Sequence, residues 1–144
     1  MDDSIADAFE KNRGWLGYYW ATTATLGKYE KVRLSFDVPH DKAEWNRCTS
    51  QPGCEDPKPN AWPKSEVYTV VTDEFRRTNI SASAYLAKRG WANHVVNDML
   101  AWMIDNQASA EDGARHFLIQ YGDTWEEWVS PEAAEKIRVF LAAS

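Results

Sequence analysis

The stretch Gly14-Trp15-Leu16-Gly17-Tyr18-Tyr19-Trp20 is the densest run of aromatic residues in the chain. Aromatic residues are enriched in strands, so the pattern predicts a β-strand over residues 15–20. Successive side chains of a strand point to opposite faces. Leu16, Tyr18 and Trp20 are therefore expected on one face, with Trp15, Gly17 and Tyr19 on the other. A polar turn at residues 21–25 leaves Trp20 at the carboxyl end of this strand.

Two further segments have the pattern of strands. Apolar and polar residues alternate over residues 31–36, as in a half-buried strand. Residues 66–71 are rich in valine and threonine, which favours a central strand. Between them, residues 37–65 contain five of the six prolines and both cysteines. This composition predicts a long irregular loop, interrupted by one helical turn at residues 41–47.

The remaining segments are predicted to be helical. A helix is expected at residues 4–12, where Ser4 and Asp7 have the spacing of a capping box. Further helices are expected at residues 81–89, 93–106, 110–121 and 132–142. Ser109 and Asp112 have the capping-box spacing before the third of these, and Ser130-Pro131 has the pattern of an N-cap before the last. The tryptophans at or between these helices are expected to pack against the sheet: Trp91, Trp102, Trp125 and Trp128.

These elements predict one α/β or α+β domain, with about three strands in a small sheet and five or six helices. The chain of 144 residues carries a net charge of −6 and has no basic run, which argues against a nucleic-acid partner. Its longest apolar stretch, residues 99–104, is far shorter than the roughly 20 residues of a membrane-spanning helix. The start of the chain lacks the pattern of a secretory signal peptide.

The two cysteines leave three interpretations open. Cys48 and Cys54 lie six positions apart in a loop rich in proline, glycine and aspartate, where the backbone could bring them within disulfide range. Two free thiols are the second interpretation, and a metal pair assisted by His40 is the third. The metal interpretation is the weakest, because the cysteine spacing matches no common zinc pattern. A disulfide would suit an exported protein.

The residues do not indicate catalysis or a cofactor. His40 and Asp41 precede Cys48, but no sequence signature of a thiol enzyme accompanies them. The chain also has no glycine-rich phosphate loop. A binding function fits the composition better, since eight tryptophans exceed what a core of this size requires. Aromatic faces hold quaternary ammonium groups, which have no N–H to donate, and each face contributes roughly 0.5–2 kcal/mol.

Five stretches in fixed order carry a resemblance to a known family: residues 15–20, 26–29, 37–41, 57–67 and 100–107. Over residues 14–142 the chain resembles the carboxy-terminal part of the substrate-binding proteins of glycine betaine and proline betaine ABC importers. The resemblance implies part of a periplasmic-binding-protein-like fold with two lobes. Residues 1–36 would be the end of the second lobe and the crossover, and residues 37–144 the closing part of the first.

The resemblance also implies a site. Proteins of this family hold betaine in a cage of Trp or Tyr rings, and Trp20 is the principal candidate here. Tyr19, Trp15 and Trp62 are further candidates. The segment after Trp20 differs from the family, because residues 21–25 lack the proline or histidine often found there.

The implied partners are a quaternary ammonium solute such as glycine betaine, proline betaine or choline, and the membrane permease of an ABC importer. The implied location is periplasmic, or extracellular and membrane-associated. Since the rest of such a receptor would precede this chain, we expect self-association, in which copies cover each other's exposed edges. The alternative interpretation is an oligomeric assembly module that binds no ligand.

Overall fold

The computed structural model describes residues 1–143, and within this range it contains helices and irregular segments but no β-strand. The prediction of a small three-stranded sheet is therefore wrong. In chain order, the helices are α1 (Asp2–Glu10), α2 (Ala24–Lys28), α3 (Lys42–Glu44), α4 (Asp73–Thr78), α5 (Ile80–Lys88), α6 (Asn93–Asp105), α7 (Ala110–Gln120), α8 (Gly122–Trp125) and α9 (Pro131–Ala142). A π-helical turn, Trp45–Thr49, continues α3, and a 3-10 turn, Glu126–Trp128, continues α8.

The predicted strands fail for a shared physical reason. A strand is stable when a neighbouring strand pairs with its backbone N–H and C=O groups. Residues 15–20, 31–36 and 66–71 find no such neighbour within the described part of the chain. Most of their apolar side chains also remain in solvent, as the exposed fractions of Val67 (100%) and Val70 (88%) illustrate.

The helix predictions after residue 80 are confirmed to within one residue at each end. Ser109 and Asp112 form the capping box that starts α7, and the side chain of Ser130 accepts a hydrogen bond from the backbone N–H of Ala133 at the start of α9. The first helix differs from its prediction, because it begins at Asp2. Ser4 does not cap it but donates a hydrogen bond to the carbonyl of Met1.

The chain forms two compact units. The first comprises Met1–Lys31 and the chain from Thr69 onward, and the second is Val32–Tyr68. The core of the first unit consists of Trp125, Trp128 and Ala134, with partly buried apolar residues of α5, α7 and α9 around it. The earlier assignment of residues 1–36 and 37–144 to two lobes stays a prediction.

Within the first unit, α2 packs closely on α6. Gly27 makes this approach possible, because a Cβ atom at this position would lie 2.3 Å from the carbonyl oxygen of Asn97. The side-chain oxygen of Asn97 accepts a hydrogen bond of 2.8 Å from the backbone N–H of Thr23, which precedes α2. Lys28 and Asp105 form an ion pair of 2.5 Å between the same helices.

The second unit is organised around α3 and its continuation. Asp41 caps α3 by accepting hydrogen bonds from the backbone N–H groups of Ala43 and Glu44. Cys48 and Cys54 form a disulfide with a Cα–Cα distance of 5.4 Å, so the free-thiol and metal interpretations do not describe this structure. The bond ties the π-helical turn to the loop that follows it.

Candidate functional site

The segment containing residues 15–20 is attached to α1 through one set of its side chains. The indole N–H of Trp15 donates a hydrogen bond of 3.2 Å to Ser4, and the hydroxyl of Tyr19 donates one to Asp2. The ring of Trp15 also fills the space beside Gly17, where a Cβ atom would lie 2.7 Å from it. Trp15 and Tyr19 therefore hold the segment in place by contacts with α1 and with the segment itself.

Trp20 and Tyr18 form the open part of this segment. The side chain of Trp20 is 62% exposed, and its ring centroid lies 5.8 Å from that of Tyr18 at an interplanar angle of 76°. Two nearly perpendicular rings form a corner, and a ligand can approach it from solvent. Sequence reasoning singled out Trp20 but missed Tyr18, although the spacing of two residues already placed both on one face.

Lys31, a short distance after Trp20 in the sequence, places its ammonium group over an aromatic ring. The Lys31 ammonium lies 5.1 Å from the ring centroid of Tyr29 and donates hydrogen bonds of 2.9 Å to the carbonyls of Thr25 and Tyr29. Partial burial lowers the pKa of Lys31. The part of the chain that follows Trp20 thus places a ring face and two carbonyl oxygens around a cationic side chain, although burial disfavours its charged form.

Trp62 lies in the second unit, where it belongs to a small aromatic cluster. Its ring centroid is 5.1 Å from that of Trp45, which in turn lies 5.6 Å from the ring of His40. Sequence reasoning missed Trp45, because it falls in the predicted helical turn. We name Trp62, Trp45 and His40 the loop aromatic cluster.

Three of the four tryptophans of the helical region line an apolar cavity of about 450 Å³ within the first unit: Trp91, Trp125 and Trp128. The fourth, Trp102, instead stacks on His116, with ring centroids 3.7 Å apart. Trp128 contacts Trp91 at 5.3 Å and Phe117 at 5.7 Å between ring centroids, and Tyr85 lies 6.4 Å from Trp128. The four tryptophans were expected to pack against a sheet. With no sheet in the described residues, Trp91 and Trp128 pack against each other and line the cavity together with Trp125.

The comparison with protein families decides the assignment. The model of the substrate-binding domain of ABC-type glycine betaine transport systems matches residues 1–120.

The chain belongs to this family. Among curated proteins and among solved structures, no match was found.

As a member of this family, the domain has a substrate-binding role of the glycine betaine ABC-transporter type. Proteins of the family are non-catalytic substrate binders that serve an ABC permease, and they are periplasmic or membrane-associated. None of the described helices is long and apolar enough to cross a membrane. The family match includes all four aromatic candidates and both cysteines, and it ends at the last residue of α7.

Proposed function

We propose that this domain binds a quaternary ammonium compatible solute through cation–π contacts, with Trp20 as the main contact residue. The observation that carries the proposal is the open corner formed by Trp20 and Tyr18. A trimethylammonium group has no hydrogen-bond donor, so it gains most from ring faces arranged around it. The contact between the Lys31 ammonium and the ring of Tyr29, at 5.1 Å, is a nearby example of the cation–ring geometry that the proposal requires.

Each of the other candidates has a defined place in this proposal. Trp15 and Tyr19 position the segment, since their polar atoms donate to Ser4 and Asp2 of α1. Trp62, in the second unit, is a separate candidate contact for the solute within the loop aromatic cluster, where its side chain is 62% exposed. In the whole receptor, the solute would pass from this site to the permease of the importer.

The expected affinity follows from the number of rings. Two ring faces at roughly 1–2 kcal/mol each give about 2–4 kcal/mol, and about 4 kcal/mol corresponds to a dissociation constant near 1 mM. We therefore expect weak binding to this chain by itself. Further rings from another copy, or from the rest of a receptor, would strengthen it.

Calorimetric titration of the chain with glycine betaine, proline betaine, choline and tetramethylammonium tests the proposal. Tetramethylammonium isolates the cation, because it has no carboxylate or hydroxyl. We expect saturable heat with each ligand, and Trp20→Ala should weaken binding roughly tenfold, as the loss of 1–2 kcal/mol implies. Leu16→Ala is the matched control, since Leu16 is exposed in the same segment but has no ring.

Two results separate the contributions of the rings. If Tyr18→Ala weakens binding and Tyr18→Phe does not, the ring face of Tyr18 contacts the cation. If Trp62→Ala weakens binding as well, the loop aromatic cluster also binds the solute. An absence of saturable heat with all four ligands, or equal heat from Trp20→Ala and the unchanged chain, would reject the proposal.

A second function is favoured by a different observation. The segments predicted as strands expose large apolar side chains, including Val32 (83%), Phe36 (78%) and Val67 (100%). Apolar exposure of this kind marks interaction surfaces. The alternative proposal is an assembly module that associates through these segments and binds no solute. The same titration separates the two functions, because an assembly module gives no saturable heat with quaternary ammonium compounds.

A further inference from the structure

A small cavity in the first unit differs in character from the aromatic sites. It has a volume of about 150 Å³ and lies between the segment that precedes α4 and the helices α4 and α5. Its lining residues are Thr69, Val71, Arg76, Ser83, Leu86 and Ala87. The lining thus combines two hydroxyl groups and a guanidinium with aliphatic side chains.

Two buried polar atoms, one in the cavity lining and one on a side chain bonded to that lining, have no hydrogen bond within the described part of the chain. The hydroxyl oxygen of Ser83 and the Nε atom of Arg89 are the buried side-chain nitrogen and oxygen atoms that lack a hydrogen bond among the residues described. Ser83 lines the cavity, and Arg89 is connected to it through a hydrogen bond of 3.5 Å from its Nη2 atom to Thr69. Buried polar atoms are normally hydrogen-bonded, so two unpaired atoms in one region point to a missing partner.

The chemistry of the missing partner follows from these groups. The two guanidinium groups offer only donors and carry positive charge, and the hydroxyls of Ser83 and Thr69 can donate as well. Trp91 holds the Arg89 guanidinium from one side, at 4.9 Å from its ring centroid. The nearest carboxylate to Arg76 is that of Asp73, at 3.6 Å, and both side chains are largely exposed, so this ion pair is weak. The region therefore has more donors than acceptors.

We infer that this cavity, which we name the α5 cavity, binds a small carboxylate. Its oxygens would accept hydrogen bonds from Ser83, Thr69 and the guanidinium of Arg89, while Arg76 would supply a second positive charge. The alkyl part would contact Val71 and Leu86, which favours a short carboxylic acid over a fully hydrated phosphate. The volume suits a molecule with only a few heavy atoms.

Titration with acetate, followed by NMR on the full chain, tests this inference. We expect saturable shifts of the Arg89 Nε–H resonance and of the Ser83 amide. Sodium chloride at equal ionic strength should not reproduce them. Butyrate should bind several-fold more tightly than acetate, because its alkyl part removes more apolar surface from water. Inorganic phosphate should bind more weakly than acetate.

Variants with matched controls locate the site. Ser83→Ala should weaken acetate binding roughly tenfold, as expected for a hydrogen bond to a charged group. Arg76→Gln should weaken it too, and because its side chain is largely exposed this variant does not depend on core packing. Ser81→Ala on the same helix and Arg77→Gln on α4 are the controls, since neither residue lines the cavity.

Three results would overturn the inference: shifts that rise linearly without saturation, equal shifts with chloride, or unchanged affinity in both Ser83→Ala and Arg76→Gln. Tighter binding of phosphate than of acetate would overturn the assignment to carboxylates. The result is independent of the quaternary ammonium site, because acetate carries no cation. Trp20→Ala should therefore leave the acetate titration unchanged, and failure of one proposal does not imply failure of the other.

Discussion

At the scale of single residues, Glu44 is a charged side chain that the fold buries, with an exposed fraction of 7%. Its carboxylate accepts hydrogen bonds of 2.8 and 3.0 Å from Arg47 and one of 3.0 Å from the backbone N–H of Lys58. These hydrogen bonds lower the pKa of Glu44, and the interaction with Arg47 has the largest effect. The charged form of Glu44 therefore joins the π-helical turn to the later part of the loop.

The lowered pKa predicts the pH dependence of this region. When the folded state has the lower pKa, the group stabilises the fold at pH values above its unfolded pKa, about 4.3 for Glu. This stability is lost as the pH falls through the folded pKa. We expect the protection of the amides of residues 41–60 against hydrogen exchange, relative to the unfolded rate at the same pH, to fall below about pH 4, and Glu44→Gln to show lower protection already at neutral pH.

Hydrogen exchange followed by NMR measures both effects. Glu55→Gln is the matched control, because Glu55 is an exposed residue of the same loop. Equal exchange in Glu44→Gln and in the unchanged chain at neutral pH would show that the carboxylate does not stabilise this region.

The candidate residues differ in how much the sequence could predict about them. Tyr18 and Trp20 contact each other, whereas Trp15 and Tyr19 bond to α1, and the strand from which their grouping was inferred is absent from the described residues. The bonds of Trp15 and Tyr19 to α1 depend on contacts between Ser4, Asp2 and a segment more than ten residues away. No local pattern encodes such contacts. The ligand-binding roles of these rings stay predictions.

At the scale of the elements, the contact between α2 and α6 depends on Gly27. A Cβ atom at this position would lie 2.3 Å from the Asn97 carbonyl oxygen and 2.9 Å from the Cβ of Ala101. The first contact is with backbone, which cannot turn away as a side chain can. Gly27→Ala should therefore move α2 away from α6 and destabilise the chain by roughly 1–3 kcal/mol, as overpacking does.

Thermal or urea unfolding followed by circular dichroism measures this loss. Gly14→Ala is the matched control, because a Cβ atom there would meet no other atom within 4 Å. A Gly27→Ala variant as stable as Gly14→Ala would show that the two helices do not pack as closely as described.

The helices could be predicted from sequence where local signals agree with each other. The capping box of Ser109 and Asp112 and the Ser130-Pro131 pair mark helix starts through hydrogen bonds between near neighbours. A strand has no comparable local signal, because its backbone hydrogen bonds form with a second segment and not with near neighbours in the sequence. The patterns at residues 31–36 and 66–71 are strand-like, but a strand forms only when a second segment pairs with it. The sequence of one segment does not show whether such a partner is present.

At the scale of the whole molecule, the helical structure differs from the fold of the family to which the chain belongs. The family has a periplasmic-binding fold, whereas the described part of this chain contains no strand. Within the described residues, the two strand-like segments, residues 31–36 and 66–71, pair with no other segment. The Cys48–Cys54 disulfide and the α3 cap maintain the loop between these segments independently of such pairing.

We predict that copies of the chain associate through the strand-like segments. Val67, Val70 and Phe36 are exposed by 78–100%. Burying such side chains contributes roughly 1.5–3 kcal/mol each, and unpaired backbone groups of extended segments favour pairing with another chain. Size-exclusion chromatography with light scattering should give a mass greater than the 16.5 kDa of one chain.

Val67→Lys with Val70→Lys should shift the equilibrium towards the monomer, because the introduced charges oppose burial. Val139→Lys is the control, since Val139 is exposed on α9 and not in a strand-like segment. A clean monomer at high concentration would contradict the prediction, and dissociation by Val139→Lys alone would place the contact on the helices instead.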